Sequence, residues 1–296
     1  MRVCLLGFGE VGQTLGEDLG RVADVELRTY DIQFGNPRSG PSRAAAAQTE
    51  VRRCESAAEA AGDADFVISA VTAAQDAVAA RSVVGAFAPG AFYLDLNSVS
   101  PATKQQVADV VEAAGGRYVE AAVMAPIFPR RSAAPMLIGG PHAEAFCRIA
   151  PRLRFTGAEF CSASIGVASA TKMCRSVIIK GMESVLTESM LAARHYGVEQ
   201  GVLASLDNLL RGDDWEALAH YMLSRSAEHG VRRAEEMREA ATTVRDAGIE
   251  PWMSLATVER QQWIAGFSNA LGRDTLAGLL DQVLAEANEN SREPAR

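Results

Sequence analysis

The first residues that could do chemistry form the run Gly7-Phe8-Gly9-Glu10-Val11-Gly12, three glycines at GxGxxG spacing. The run follows the apolar segment Val3-Cys4-Leu5-Leu6 directly and opens a stretch of helical composition. In that context Gly7 permits a tight turn, Gly9 lets the backbone approach a pyrophosphate, and Gly12 lets a helix pack closely on a strand. A pyrophosphate then rests on the free N–H groups of a helix N-terminus. Phe8, Glu10 and Val11 belong to the same turn and count as cofactor-side residues. Asp31 lies 19 residues past Gly12, at the end of the segment Val25–Tyr30. Its carboxylate can accept both ribose hydroxyls of NAD and repels a 2′-phosphate; the alternative is a loop aspartate with no ligand. NAD is therefore the expected cofactor. Arg28 and Arg38 are close enough in sequence to reach a phosphate, so NADP stays open.

A second group lies in Asp95-Leu96-Asn97-Ser98-Val99-Ser100-Pro101. Asn97 and Ser98 fall at the C-terminal end of a strand, where open α/β sheets bind ligands. They are candidates to orient a substrate carboxylate or the nicotinamide ribose. Helix capping is the alternative role, but Ser100 with Pro101 already supplies an N-cap and a first helical residue. Val71 and Thr72, at the end of the strand that starts at Phe66, join Asn97 as cofactor-side candidates. Lys172 is flanked by the apolar Ala168, Ala170, Met173 and Cys174, which disfavours full exposure. A lysine can give or take a proton, but its ordinary pKa of ~10.4 must fall through burial or a neighbouring cation before it serves as a base near neutrality. The alternative is a solvated lysine on a helix surface. His229, Arg232, Arg233 and Glu236 follow i, i+3, i+4, i+7 spacing and share one helical face. That face is either a solvated stripe or a wall that grips a substrate carboxylate with an arginine fork. His195 and His220 read as structural.

The elements that must position these residues are visible as a change of pattern. Short apolar strand candidates occur at Arg2–Leu6, Val25–Tyr30, Phe66–Val71, Phe92–Leu96, Tyr118–Val123 and Met136–Ile138, the earlier ones separated by alanine-rich helical stretches. This is the βαβ signature of a mostly parallel, buried sheet. Gly35–Pro41 reads as a loop. Beyond Ser164 strand signals vanish. Ile165–His195 reads as one long helix, followed by helical stretches at Gln200–Leu210, Trp215–Thr243 and Trp252–Asn269 and by a frayed polar tail, Asn288–Arg296. The expected class is α/β: a Rossmann-type doubly wound parallel sheet over residues 1–163, then an all-α substrate and dimerisation domain over 164–296, with a long interdomain helix.

A formal net charge of −8 argues against nucleic acid or an anionic membrane surface as partner. The N-terminal apolar run breaks at Gly7, unlike a signal peptide, and no apolar stretch approaches the ~20 residues of a membrane span. The five cysteines form no CxxC pair, so reduced thiols, no metal and a cytoplasmic location are expected. A helix of ~45 Å needs cover along its length, which points to a homodimer.

On these motifs the chain resembles the β-hydroxyacid dehydrogenases, the family related to 6-phosphogluconate and 3-hydroxyisobutyrate dehydrogenases. The resemblance spans nearly the whole chain. Its most specific part is Gly166-Val167-Ala168-Ser169-Ala170-Thr171-Lys172, similar to the family's Gly-x-Gly-x-x-x-Lys, whose lysine is catalytic. It implies Lys172 as general acid/base, Asn97 and Ser98 in the substrate segment, a small carboxylate substrate bound between the domains, and hydride exchange between a 3-hydroxy acid and NAD. Ala168 stands in place of the second glycine, Ser176 in place of an asparagine one turn past the lysine, Asn97 in place of a serine, and Met124-Ala125-Pro126 in place of a Ser-Gly-Gly loop. Met124 and Phe128 either line that loop or pack in the core. The departures mark a divergent subgroup with its own C-terminal domain. Imine reduction and dinucleotide sensing are the rival functions, and both leave Lys172 without a task.

Overall fold

The computed structural model describes residues 1–206, 214–246 and 250–292. The strands are β1 (Arg2–Leu6), β2 (Glu26–Tyr30), β3 (Val51–Arg53), β4 (Phe66–Ser69), β5 (Phe92–Asp95), β6 (Arg117–Val123), β7 (Met136–Gly139) and β8 (Ala158–Ser162). Between them lie the helices α1 (Glu10–Leu19), α2 (Gly40–Ala47), α3 (Ala57–Ala61), α4 (Asp76–Ser82), α5 (Pro101–Ala113) and α6 (Ala143–Ile149). One sheet joins all eight strands in the order β3-β2-β1-β4-β5-β6-β7-β8. The six strands from β3 to β6 pair in parallel, β7 runs antiparallel to β6, and β8 is parallel to β7. The strand order reverses between β1 and β4, and the crevice beyond their C-terminal ends is where such sheets take ligands.

Alternation along each strand explains why both faces are covered. Val3 and Leu5 of β1, with Phe66 and Ile68 of β4 and Phe92 and Leu94 of β5, enter one core. Cys4, Leu6, Val67 and Tyr93 enter the other. Side chains two apart share a face, so strands apolar on every residue require helices on both sides.

The structure separates into two compact units, Met1–Met173 and Cys174–Arg296. This boundary falls ten residues beyond the one expected from composition, inside the long helix α7 (Val167–Tyr196). The second unit continues with α8 (Glu199–Leu206), α9 (Trp215–Asp246), α10 (Trp252–Ile264) and α11 (Leu276–Arg292). Its core gathers Leu186 and Met190 of α7, Leu203, Leu223, Ile264, Phe267, Leu279 and Val283.

Several boundaries differ from the sequence reading. β3 and β8 went unread; they are the sheet's two edges, and short edge strands carry little of the apolar pattern that reveals a buried one. Gly40 and Pro41 open α2, capped by the Ser39 hydroxyl accepting from the Ser42 N–H at 3.1 Å, so the loop ends earlier than expected. α10 stops at Ile264, just before Gly266, and a 3-10 turn over Ser268–Ala270 follows. The polar tail is helical through Arg292, because α11 buries Leu279, Leu280 and Val283; residues 293–296, like 207–210 of the Gln200–Leu210 stretch, lie outside the described residues. Within the described residues no helix is long and apolar enough to cross a membrane, and all five cysteines are unpaired.

α9 and α10 meet at Gly230, where a Cβ would stand 2.1 Å from the Gln261 carbonyl oxygen. Gly230→Ala must therefore push the two helices apart. It is expected to cost about 1–3 kcal/mol of stability, read as a lowered urea midpoint; an unchanged midpoint contradicts this packing.

Candidate active site

The glycine turn has the geometry its spacing implies. Gly7 follows β1 at φ +87°, and a Cβ there would lie 2.3 Å from the Ala70 carbonyl oxygen after β4. Gly12 sits inside α1, where a Cβ would lie 2.1 Å from the Gly7 carbonyl oxygen. A Cβ on Gly9 would meet nothing within 4 Å. Gly9 is also the N-cap of α1 and offers no side chain to its first-turn N–H groups. Two glycines are thus needed for packing and the third leaves an uncapped helix N-terminus facing open space, which fits a pyrophosphate. Phe8 is buried, edge-on to Phe34; Glu10 is exposed and Val11 half-buried. Asp31 accepts the Phe8 N–H at 2.7 Å and the Gln33 N–H at 2.8 Å. These bonds fix the carboxylate beside the turn. Arg28 is committed to Glu26 and to the Gly62 carbonyl, whereas Arg38 is exposed.

Behind the strand ends lies a buried polar network. The Asp95 carboxylate accepts from Lys104 Nζ at 2.8 Å, from the Tyr118 hydroxyl at 2.8 Å and from the Asn97 N–H at 2.9 Å. Asn97 is 4% exposed. Its side chain donates to Ser69 Oγ (2.9 Å) and Asp76 Oδ1 (2.8 Å) and accepts the Val71 N–H (2.7 Å). The amide expected to touch substrate is therefore spent inward, tying β5 to the segment after β4. Val71 packs beside Gly7, and Thr72 is exposed next to it. Ser100 caps α5 by accepting the Thr103 N–H at 3.2 Å. Asp76 is fully buried and its Oδ2 has no hydrogen-bond partner. Burial, and secondly the neighbouring Asp95 carboxylate, push its pKa up to about 8.

Ser98 is half-exposed at the same strand end. Lys172, on the first turns of α7, donates from Nζ to Ser98 Oγ at 2.5 Å. The helix start is set by Glu120 of β6, which sequence reasoning missed. Glu120 is fully buried; Oε2 accepts the Gly166 N–H at 2.7 Å and Oε1 the Ser169 N–H at 2.5 Å. Gly166, at φ +96°, lies against Pro101, and the alanine that replaces the family's second glycine, Ala168, is fully buried. Met124 follows β6, half-buried, its N–H donated to the Pro135 carbonyl; Phe128 is exposed.

In the second unit the expected cationic stripe is paired. Arg233 meets Glu183, and Arg232 meets Glu236, which also takes Lys180 Nζ at 2.7 Å. Lys180 donates to Ser176 Oγ at 3.3 Å as well, and burial holds its pKa below the usual lysine range. His229 contacts Glu228 at 3.2 Å. The arginine fork is thus not held open, because Glu183 and Glu236 occupy it. Lys180 and Glu183 carried no sequence signal beyond ordinary helical charge. His220 lies 2.8 Å from the Arg273 carbonyl oxygen, a structural link; the side chain of His195 lies outside the described residues.

A mostly parallel sheet with this turn at its switch point defines a dinucleotide-binding protein. Residues 2–166 match the family described as the NAD binding domain of 6-phosphogluconate dehydrogenase, and residues 193–264 match a domain of unknown function (DUF1932). The chain belongs to the β-hydroxyacid dehydrogenase family, as a divergent member with a C-terminal helical domain. A conserved hypothetical protein from Sinorhizobium meliloti 1021 is 35% identical, with 96% of each chain covered and a TM-score of 0.71. A conserved protein of unknown function, reported to be structurally similar to 3-hydroxyacid dehydrogenases, is 31% identical over 90% of this chain and 97% of its own, with a TM-score of 0.67. The 3-hydroxyisobutyrate dehydrogenase of Mycobacterium tuberculosis, solved with L-serine, shares the fold at 20% identity, covering 96% of this chain and 98% of its own, with a TM-score of 0.68.

The raised Asp76 pKa makes stability depend on pH. Between the ordinary value of 3.8 and about 8 the folded protein keeps a proton that the unfolded chain has lost. This contribution is complete below pH 3.8, falls as pH rises, and is gone above about 8. Asp76→Asn, always neutral, is expected to flatten that slope and to be more stable than wild type at pH 8 by at least about 1.4 kcal/mol, one pKa unit. Urea titrations of both proteins across this range check it; parallel pH profiles count against a neutral Asp76.

Proposed function

We propose that the protein is an NAD-dependent oxidoreductase that moves hydride between a 3-hydroxy acid, or the matching 3-oxo acid, and the nicotinamide, with Lys172 as general acid/base. The observation that carries this reading is the 2.5 Å bond from Lys172 Nζ to Ser98 Oγ, a proton-transfer group held at the strand ends of the unit that carries the glycine turn. A bound NAD supplies the hydride acceptor. Lys172, as the neutral amine, takes the hydroxyl proton of the alcohol; in reduction its ammonium gives that proton to the carbonyl oxygen. Ser98 accepts from the lysine and fixes where its proton points. Asn97 acts indirectly by holding the Val71 N–H. Asp31 favours NAD, since a 2′-phosphate would face a carboxylate whose two oxygens are already fixed by N–H groups.

The protein is further inferred to work as a homodimer through the helical unit, where Ile178 (63% exposed) and Val185 (52%) of α7 face outward. A light-scattering mass of one chain would refute that.

The deciding assay follows absorbance of the reduced nicotinamide with small and aromatic 3-hydroxy acids. Lys172→Ala should lose about 10²–10⁴-fold in kcat while a direct titration shows NAD still bound. Asp31→Ser should shift the kcat/KM ratio towards NADP by about tenfold, 1.4 kcal/mol. A lysine variant with full activity removes the acid/base assignment. Turnover of cyclic imines with no turnover of any hydroxy acid would put imine reduction in its place.

A further inference from the structure

Away from the glycine turn the first unit carries an open cavity of about 440 Å³. Its walls come from the C-terminal end of α1, the loop after β6 and the segment before β8, and they bring together Arg21, Arg130, Arg131 and Arg154 with one acid, Asp18. Four cations against Asp18 and against Glu17, which pairs with Arg131 from outside the lining, leave +2, in a chain whose net charge is −8. Among the described residues Arg131 alone of the four has carboxylate partners: Asp18 at 2.8 Å and Glu17 at 2.7 Å. Among the described residues Arg21, Arg130 and Arg154 form no ion pair. An unpaired guanidinium cluster on an acidic protein is a local field for anions.

The cavity is also built, not merely bordered. Asp18 is 6% exposed and its Oδ2 accepts the Ser132 N–H at 3.1 Å, while Oδ1 takes Arg131 Nε. These bonds, chiefly those from Ser132, hold the Asp18 carboxyl below the usual carboxylate range despite burial. The loop that carries Arg130 and Arg131 is therefore fixed to α1. Arg131 and Arg154 both adopt left-handed backbone, φ 57° and 61°. Side chains with a Cβ rarely adopt that region, and strain of this kind concentrates at ligand sites. The remaining wall includes Ala133, Pro151 and Thr156 but no large apolar side chain, which disfavours a hydrophobic ligand.

We propose that this cavity binds a small phosphorylated or pyrophosphorylated metabolite, at a site separate from the dinucleotide crevice. Guanidinium forks match phosphate oxygens in bidentate geometry, and several cations suit a group carrying more than one charge. The volume falls within the range of small-molecule sites. Separation follows from α1: Asp18 stands eight residues past Glu10, about 12 Å along the axis at 1.5 Å per residue, so a pyrophosphate on the helix N-terminus lies at the other end of the helix. The inference does not rest on the proposed reaction.

The test is calorimetric titration of the full chain with inorganic pyrophosphate, in saturating NAD to fill the crevice. Salt is held at about 150 mM, where exposed charges are screened over ~8 Å. One equivalent should bind the wild type. Arg21→Ala/Arg154→Ala should weaken binding about tenfold or more, and Arg130→Ala, a second variant, should also weaken it. Both variants should keep the wild-type melting temperature and NAD affinity. No heat from the wild type at this salt, or equal affinity in the double variant, overturns the site and leaves a solvated surface. Citrate binding as tightly as pyrophosphate overturns the phosphate class.

Discussion

Glu120 is the interaction on which the geometry of Lys172 depends. A carboxylate with no exposure is costly unless it is fully hydrogen-bonded, and here two N–H groups at the start of α7 provide the bonds. The same N–H groups are orphans of the helix N-terminus, where negative charge is favoured by the helix dipole. Each side thus meets the need of the other. The surroundings are shaped to allow it: a Cβ on Gly139 would stand 2.8 Å from Glu120 Oε2, so the neighbouring strand must carry a glycine there. With Gly166 and Ser169 fixed to β6, the rotation of the helix is fixed too. Lys172, three residues past Ser169, is then directed at Ser98.

The other side of that bond is held by a separate set of contacts. Ser98 follows Asn97, and Asn97 is locked by Ser69, Asp76 and the Val71 N–H. One residue further back, Asp95 gathers Lys104, Tyr118 and the Asn97 N–H. A network satisfied at nearly every atom is rigid, and a rigid strand end is what a 2.5 Å donor–acceptor pair demands. Asp76 Oδ2, like the hydroxyl of the neighbouring Tyr93, is among the buried atoms without a hydrogen-bond partner. A neutral Asp76 relieves that position, since an unpaired buried carboxylate beside Asp95 would add two costs, desolvation and like charge. The two halves of the candidate site are therefore positioned by buried carboxyls.

The glycine turn and the place of Asp31 beside it were legible because local spacing sets them, and Lys172 was picked out by the resemblance of the run Gly166–Lys172. Gly7 and Gly12 are glycines for reasons set by neighbours five residues apart or by the next strand, and the fingerprint encodes both. The supporting carboxyls were not legible. Glu120 sits in the middle of an apolar run, Tyr118–Val123, and takes its partners 46 and 49 residues later, beyond any periodic pattern. Asn97 has the residue type and place of a ligand, and only three-dimensional partners reveal that its amide is used up. The stripe in α9 shows the reverse error: the spacing correctly put Arg232, Arg233 and Glu236 on one face, but the partner of Arg233, Glu183, lies in another helix. The edge strands β3 and β8 were missed because the apolar pattern records burial, and an edge has little of it.

α1 ties the two ends of the first unit together by a conflict that only the structure explains. Glu17 and Asp18 occupy its last turn, where the helix dipole disfavours acids. Isolated, they would destabilise the helix they belong to. Arg131 offsets this by binding both carboxylates and the Thr14 carbonyl, and the Ser132 N–H adds a further donor to Asp18. The arrangement costs Arg131 its preferred backbone, since it lies at φ 57°. Helix-end acids and a strained arginine are each unfavourable alone and compatible only together. The pair anchors the β6–β7 loop to the helix that opens at the glycine turn, so the position of that helix is fixed at both ends: by the Gly7–Gly12 contact at one and by the Arg131 clamp at the other.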